Sequence, residues 1–319
     1  MERRVDVVKI CMLGAGALGS AIGGTLAAGG SEVTLVDRYD AHVDAINRSG
    51  LRMQVGEAER VVRVNAVTDA RGLSSMDVVI VLVKSYDTRA AIAAAAPSIV
   101  GPNTVVMSLQ NGMGHEEILA DVVGRDHLMA GKTYVGGVFL GPGHVIAGTQ
   151  RKETIIGELD GRISDRARAM AAEFERAGLP TIISDNIAAT IWDKLLINVA
   201  TGAVAAITRL TYGDLYQVPE IEATAIAAVA EAMAVARAEG ITLSFVDPRD
   251  AWIKASAGLP AAFKTSMLQS LEKGTLTEID FINGAVVRAG AKAGVPTPVN
   301  STLVACIKGI ERGLRNAVA

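Results

Sequence analysis

The sequence predicts an α/β N-terminal domain with a doubly wound parallel sheet, followed by an all-helical C-terminal domain. Short apolar runs alternate with helical patterns in the first part of the chain, and strand patterns stop after Ser184. The 319 residues are enough for two domains of ordinary size. We therefore expect one domain over residues 1–185 and a second over residues 186–319.

The composition favours a helix-covered sheet and argues against several classes of partner. Hydrophobic residues make up 50% of the chain and aromatic residues only 4%, so aliphatic side chains must build the core. The net charge is −3, and no Lys/Arg cluster alternates with aromatic residues, which argues against nucleic acid. No apolar run reaches the ~20 residues needed to cross a bilayer. We expect a small-molecule partner and no membrane.

The N-terminal residues and the two cysteines indicate the cellular compartment. The first nine residues carry several charges, so we expect no secretory leader there. Only two cysteines occur, Cys11 in a predicted strand and Cys306 in a predicted helix, which makes a disulfide framework unlikely. We therefore expect a protein of the reducing cytoplasm.

The first domain is predicted as repeated strand–helix units. Strands are expected at Val5–Leu13, Glu32–Val36, Met76–Val83 and Thr104–Leu109, and helices at Ala17–Ala28 and Ala90–Ser98. The strands are continuous runs of aliphatic residues, as in buried parallel sheets. Short Gly-rich pieces between Lys132 and Glu158 predict antiparallel strands at the sheet edge. A helix over Ser164–Gly178 and a strand over Thr181–Ser184 complete the domain.

The second domain is predicted to contain helices only. These are expected at Asn186–Ile207, Glu220–Glu239, Asp247–Ala257 and Glu278–Ala293. The Ala-rich helix over Glu220–Glu239 is compatible with internal packing or with a partner subunit, which leaves a homodimer open.

A glycine-rich turn joins the first predicted strand to the first predicted helix. Its residues, which fit G-x-G-x-x-G, are Gly14, Ala15, Gly16, Ala17, Leu18 and Gly19. The three glycines allow a tight bend, a close approach of pyrophosphate and close helix–strand packing, and the phosphates meet the helix N-terminus. Because the turn lies within a strand–helix–strand unit, we predict a Rossmann-like domain that binds NAD(P).

Two residues after the second predicted strand give opposite indications about the cofactor. Asp37 is placed to accept hydrogen bonds from the adenosine ribose, which favours NAD. Arg38 is placed to pair with a 2′-phosphate, which favours NADP, or to be simply solvated. Lys84, after a central strand, fits a phosphate contact and a surface lysine equally well. The balance favours NADP and leaves NAD open.

The apolar helix over Asn186–Ile207 carries a stripe of polar residues. Thr190, Lys194, Asn198 and Thr201 fall on one face of this helix. A lysine among apolar residues needs a partner or a ligand, and burial makes it a usable general acid. The alternative is a surface lysine whose stem lies on apolar neighbours. Glu278 is its natural partner, although an acidic residue at a helix N-terminus is also an adequate explanation.

The histidines give no indication of a metal site. His42, His115, His127 and His144 form no metal-binding spacing with a cysteine or with one another. We expect all four to be surface or structural residues and expect no metal cofactor.

Several segments together resemble the ketopantoate reductase (2-dehydropantoate 2-reductase) family. Besides the glycine turn, the matching segments are Asn111–Gly114, Trp192–Asn198, Thr265–Gln269, Thr277–Asp280 and Gly294–Asn300. They occur in the family's order over nearly the whole chain. The combination is much more specific than the glycine turn alone.

The resemblance implies the reduction of a 2-oxo acid by hydride transfer from NADPH, in pantothenate biosynthesis. It implies that Lys194 is the proton donor to the keto oxygen and that Glu278 orients the lysine and the bound groups. It also implies that three positions bind the substrate. Asn111 corresponds to an asparagine between nicotinamide and substrate, and the other two positions are Asn198 and Ser266. The positions that would contact the cofactor are Gly14–Gly19, Asp37, Arg38, Lys84, Asn111, Gly137 and Glu278.

The chain departs from the family pattern at a few positions. Gly202 stands where the family usually has a second asparagine, and Tyr212 stands where an asparagine is common. Asp37 beside Arg38 is unusual for an enzyme restricted to NADP. These departures leave open a bulkier or less hydroxylated 2-oxo acid, and with it an NAD(H)-dependent reductase of a different 2-oxo or 2-hydroxy acid. A protein that senses a dinucleotide without catalysis is a separate alternative, and the presence of Lys194, Asn198, Ser266 and Glu278 together argues against it.

Overall fold

The protein consists of two compact units. The computed structural model describes residues 7–318, with side chains as far as residue 316, so the predicted strand residues Val5 and Asp6 lie outside the described part. The first unit comprises the chain up to Gln110 together with His115–Ile187. The second comprises Asn111–Gly114 together with the chain from Ala188 onward.

The first unit is built on an eight-stranded sheet. In spatial order its strands are β12 (Thr181–Ile183), β11 (Thr154–Gly157), β8 (Leu128–Thr133), β7 (Val100–Ser108), β6 (Met76–Val81), β1 (Lys9–Leu13), β2 (Glu32–Val36) and β5 (Asn65–Val67). All neighbouring strands pair in parallel except β8 and β11. The predicted doubly wound α/β class is therefore confirmed.

Helices cover both faces of this sheet. They are α1 (Ala17–Ala28), α2 (Asp40–Ser49), α3 (Thr88–Ile99), α4 (His115–Val123) and α5 (Asp165–Arg176). Successive residues of β1 point to opposite faces, as the pleat requires. Ile10 belongs to the core that includes Phe174 of α5, whereas Cys11 belongs to the core that includes Ile92 of α3. Both faces are thus buried, which explains the continuously apolar strands.

A second sheet packs on α1. It has the order β4 (Ala58–Val62), β3 (Leu51–Val55), β10 (His144–Gly148), β9 (Gly136–Gly141). A Cβ atom on Gly23 would lie 2.7 Å from Met12 of the main sheet, and one on Gly24 would lie 2.4 Å from Met53 of the second. Helix α1 therefore lies between the two sheets, which accounts for its lack of a polar face.

The second sheet corrects one expectation. The sequence predicts antiparallel strands over residues 132–158 at the edge of one sheet. Only β8 and β11 pair there, whereas β9 and β10 pair with each other and β10 joins β3 in parallel. The reason is burial: Val145 and Ala147 of β10 pack in the core that contains α1.

The described part of the second unit is helical. Its helices are α6 (Ile187–Thr208), α7 (Tyr212–Leu215), α8 (Pro219–Ala238), α9 (Pro248–Ser256), α10 (Ser266–Glu272), α11 (Asn283–Ala293) and α12 (Pro298–Val318). Helix α6 is long and apolar enough to cross a membrane, but 67% of its most apolar stretch is buried within the protein. That burial is the property of a core helix.

The helix predicted to begin at Glu278 begins later. Residues Ile279–Phe281 form a 3₁₀ turn, and α11 starts at Asn283 because Ile282 has a non-helical backbone (ψ −96°). Thr277 fixes this turn, since its hydroxyl accepts the Ile279 N–H at 3.2 Å. Glu278 therefore lies at a tight turn rather than on the first turn of a long helix.

Candidate functional site

The glycine-rich turn lies between β1 and α1, where the sequence predicts it. Gly14 has a φ of +106°, in the region that favours glycine. The N–H groups of Gly14 and Ala15 both donate to the Val36 carbonyl, at 2.9 and 3.0 Å. A Cβ atom on Gly14 would lie 2.4 Å from the backbone nitrogen of Val83. A larger residue at this position would therefore force β1 and the segment after β6 apart.

The other two glycines leave the N-terminus of α1 open. A Cβ atom on Gly19 would lie 1.9 Å from the carbonyl oxygen of Gly14, so glycine is needed for the helix to pack on the turn. Gly16, the N-cap residue, is exposed, and a Cβ atom there would have no neighbour within 4 Å. No acidic side chain occupies the first turn. The residues present therefore fit a pyrophosphate.

Gly137 of β9 lies against the first turn of α1. A Cβ atom on Gly137 would lie 2.6 Å from the carbonyl oxygen of Ala17 and 3.0 Å from the nitrogen of Leu18. The structure thus brings this predicted residue, distant in sequence, to the glycine-rich turn. This contact requires a residue without a side chain at position 137.

The side chains after β2 and β6 form a charged cluster. Arg38 is 84% exposed and pairs with Asp87, with 3.0 Å between Nη2 and Oδ2. The Asp37 carboxylate accepts the Tyr39 N–H at 3.0 Å, and Lys84 is exposed at the start of the 3₁₀ turn that contains Asp87. Sequence reasoning missed Asp87, because nothing in its local pattern indicates a partner 49 residues away.

The loop that begins at Asn111 is anchored in the second unit. The N–H of Met113 donates to the carbonyl of Phe281 at 2.8 Å. Gly112 has a φ of +95°, and a Cβ atom there would lie 2.3 Å from the same carbonyl oxygen. Because Phe281 ends the turn that follows Glu278, the structure brings together the segments that carry two predicted site residues.

Helix α6 carries the predicted polar stripe. Lys194 and Asn198 are half-buried on neighbouring turns of this helix. The Nδ2 atom of Asn198 is buried and has no hydrogen-bond partner among the described residues. An unsatisfied buried donor costs about 1–3 kcal/mol. A ligand that brings an acceptor, such as a carboxylate oxygen, would remove this cost.

The next turn of α6 is largely apolar. The Thr201 hydroxyl is 3.1 Å from the Tyr212 hydroxyl, and burial raises the pKa of Tyr212, which keeps the phenol protonated. Gly202 follows Asn198 by one turn, and a Cβ atom there would meet only the Met267 methyl, at 3.5 Å. Space for a small group therefore remains beside Gly202.

A small pocket in the second unit includes two of the predicted residues. It is too narrow to hold a water molecule, and its lining residues are Ser266, Met267, Ser270, Glu278 and Ile282. Ser266 is exposed at the first turn of α10, and Glu278 is half-buried. The pocket thus places a hydroxyl and a carboxylate at one small opening.

A buried lysine supports the residue before Asn111 and was missed by sequence reasoning. Lys132 of β8 is 1% exposed, and its Nζ donates to the Gln110 carbonyl at 3.1 Å. The Gln110 amide donates to the Thr88 hydroxyl at 2.9 Å, and its oxygen accepts from the Ser108 hydroxyl at 2.9 Å. The available signal was a lysine within an apolar strand, which requires a polar partner when buried.

Two family models match this chain, and their boundaries agree with its architecture. Residues 10–161 match the model of "Ketopantoate reductase PanE/ApbA", and residues 186–311 match "Ketopantoate reductase PanE/ApbA C terminal". The chain belongs to the ketopantoate reductase family. It is thus an oxidoreductase of this family, as the sequence predicts, and the family supports a nicotinamide dinucleotide cofactor.

Individual relatives of this ketopantoate reductase family member match over nearly their full length. A 2-dehydropantoate 2-reductase of Halobacterium salinarum is 33% identical, with 96% of this chain and 99% of that protein covered. The structure of a PanE/ApbA family ketopantoate reductase from Ralstonia eutropha JMP134 is 36% identical, with a TM-score of 0.88. The match covers 96% of this chain and 99% of that chain. D-mandelate dehydrogenase, solved with NADH and anilino(oxo)acetate, is 28% identical, with a TM-score of 0.89 and the same coverage.

The contact of Gly137 with α1 generates a test. Gly137→Ala should raise the dissociation constant for the reduced nicotinamide dinucleotide about tenfold, because β9 or the first turn of α1 must move to admit the methyl group. Gly136→Ala is the matched control, since a Cβ atom there has no neighbour within 4 Å. Fluorescence titration of the reduced cofactor measures both. Equal dissociation constants for the two variants would show that the contact does not shape the cofactor site.

Proposed function

We propose that this chain reduces 2-dehydropantoate to pantoate with NADPH, and that Lys194 donates the proton. The buried Nδ2 donor of Asn198, one turn along α6 from Lys194, supports the proposal most strongly. A 2-oxo acid carries a carboxylate next to its keto group. Donation from Asn198 to that carboxylate would bring the keto oxygen to the part of the helix where Lys194 lies.

Lys194 has the chemistry that carbonyl reduction requires. A bound nicotinamide supplies the hydride, and negative charge develops on the keto oxygen as the hydride reaches the carbon. An ammonium group stabilises this charge and then transfers a proton to the oxygen. Glu278 would hold the lysine and a hydroxyl of the bound molecules, and Ser266 would donate a further hydrogen bond to the substrate.

The charged cluster of the first unit supports NADPH as the hydride donor. Arg38 is exposed, so a 2′-phosphate can reach its guanidinium group. An exposed ion pair such as the one with Asp87 contributes only about 0–1 kcal/mol, so a phosphate can displace the carboxylate. Lys84 would add a second positive charge. Asp37 and Asp87 act in the opposite direction, and the preference over NADH is expected to be moderate.

The space beside Gly202 favours a second candidate substrate class. A 2-oxo acid with a larger apolar substituent would place that substituent against Gly202 and Met267. D-mandelate dehydrogenase, which shares this fold, was solved with anilino(oxo)acetate, a 2-oxo acid derivative with an aromatic substituent. The second candidate is therefore the interconversion of an aromatic 2-oxo acid and its 2-hydroxy acid.

The role of Lys194 is tested by its removal. Lys194→Ala should lower kcat for 2-dehydropantoate by roughly 10²–10⁴, because the transition state loses both its cation and its proton source. The dissociation constant for NADPH should stay within about twofold of the wild-type value. Lys292→Ala, at an exposed lysine of α11, is the control and should leave kcat unchanged. Wild-type kcat in the Lys194 variant would exclude this residue as the proton donor.

The charged cluster gives a paired prediction about Arg38 and Asp87. Arg38→Ala should raise the dissociation constant for NADPH about tenfold and that for NADH less than about twofold, since only NADPH carries the 2′-phosphate. Asp87→Asn should lower the dissociation constant for NADPH, because the carboxylate no longer competes for Arg38. The exposed Arg48→Ala serves as the control for net charge. Equal weakening of both cofactors in the Arg38 variant would contradict a phosphate-reading role.

A substrate panel separates the two candidates. We expect kcat/KM for 2-dehydropantoate to exceed that for phenylglyoxylate, the 2-oxo acid of mandelate, by at least about tenfold. Gly202→Asn should increase this ratio further, because an amide fills the apolar space and offers hydrogen bonds to a hydroxyl. Gly309→Asn, at an exposed position of α12, is the control. A higher kcat/KM for phenylglyoxylate would favour the second candidate.

A further inference from the structure

The imidazole of His42 is buried beneath the glycine-rich turn. It projects from α2 and is 1% exposed. Its Nε2 lies 3.0 Å from the Ala15 carbonyl oxygen and 3.1 Å from the Ser20 hydroxyl oxygen. Its Nδ1 accepts the N–H of Gly143, in the turn between β9 and β10, at 2.9 Å. One ring therefore connects the glycine-rich turn, α1 and the β9–β10 hairpin.

These contacts determine the protonation state of the ring. Because Nδ1 accepts a hydrogen bond from Gly143, the proton of a neutral ring must be on Nε2, where it can be donated to the Ala15 carbonyl. Burial lowers the pKa of His42, against opposing effects of the Asp37 charge and the Ala15 hydrogen bond. A second proton would place a donor on Nδ1 against the Gly143 N–H, so the site favours the neutral Nε2–H form.

The Ala15 carbonyl is held by two donors. The Ser20 hydroxyl donates to it at 2.7 Å, and His42 Nε2 donates at 3.0 Å. The carbonyl is therefore directed toward the buried side of the turn. In a trans peptide, the C=O and the following N–H point in opposite directions. The N–H of Gly16 is consequently directed to the open side, where this residue is exposed.

A flip of this peptide would be harmful to anion binding. Glycine at position 16 gives the Ala15–Gly16 peptide unusual freedom, because no Cβ atom restricts it. After a flip, the carbonyl oxygen would face the place that a pyrophosphate would occupy, and repulsion would replace a hydrogen bond. The two donors to the Ala15 carbonyl oppose this flip.

We propose that His42 is a positioning residue that locks the Ala15–Gly16 peptide so that its N–H faces the dinucleotide pyrophosphate. The inference rests on the proposed binding of a dinucleotide at this turn. It goes beyond that proposal because it assigns affinity to a buried side chain that does not touch the cofactor.

The test compares two variants in the full-length protein. His42→Leu removes the hydrogen bonds of both ring nitrogens and should raise the dissociation constant for NADPH about tenfold or more. His42→Gln keeps one acceptor, the amide oxygen, and one donor, the amide nitrogen, about as far apart as the two ring nitrogens. This variant should restore the dissociation constant for NADPH to within about threefold of wild type. At saturating NADPH, kcat of both variants should remain near the wild-type value, since the proton donor is untouched. All binding is measured well below the melting temperatures.

A merely structural role gives a different result. In that case His42→Leu lowers the melting temperature while the dissociation constant for NADPH stays at the wild-type value, which would overturn the proposal. If His42→Leu does not fold, Ser20→Ala removes the other donor and should weaken binding in the same direction. An unchanged dissociation constant in that variant would also contradict it. Failure of the wild-type protein to bind any dinucleotide would instead contradict the proposed function.

The tautomer provides a readout that is independent of binding. With only four histidines in the chain, ¹⁵N-labelled imidazole signals can be assigned by comparison with His42→Gln. We expect His42 to be neutral with its proton on Nε2 at pH 7.5. A ring protonated on Nδ1 at that pH would be incompatible with the Gly143 contact and would overturn the proposal.

Discussion

The first unit depends on a close approach of backbones that only glycine permits. Built Cβ atoms on Gly14, Gly19 and Gly137 would lie 1.9 to 2.6 Å from backbone atoms of neighbouring segments. These contacts fix the turn after β1, seat α1 on it and bring β9 against the first turn of the helix. The result is a helix N-terminus whose N-cap residue, Gly16, is exposed and makes no side-chain cap hydrogen bond. Its suitability for a pyrophosphate is thus a consequence of packing.

The second unit meets a different constraint, the burial of polar atoms in an apolar helix. Most of α6 packs in the core. In that setting, the Thr201 hydroxyl forms a hydrogen bond with the Tyr212 hydroxyl, but the Asn198 amide nitrogen has no acceptor among the described residues. Buried donors without partners are rare in stable proteins, and a ligand is a sufficient physical reason for one. The proposed substrate carboxylate has the complementary chemistry.

Much of the fold and of the candidate site could be predicted from the sequence. The features that could not be predicted share a cause. The strand–turn–helix around Gly14–Gly19 was predictable because its pattern is local and each glycine has a separate steric role. The turn at Glu278 was not, because it depends on Thr277, which is held by Glu311, 34 residues away. The pairing of β10 with β3 was not, because it depends on burial against α1. Asp87 and His42 were missed as partners for the same reason: their contacts join residues far apart in the chain. The predicted roles of Lys194 and Glu278 remain proposals.

The proposed reaction is the transfer of a hydride from a bound nicotinamide to the keto carbon of a 2-oxo acid. The most direct measurement uses NADPH carrying deuterium at the transferred position of C4, with 2-dehydropantoate and the wild-type protein. Mass spectrometry of the product should show one deuterium on C2 of pantoate and none in protein-free controls. Tight binding of the cofactor without label transfer to 2-dehydropantoate or any other 2-oxo acid would contradict the account and identify a protein that only binds dinucleotide.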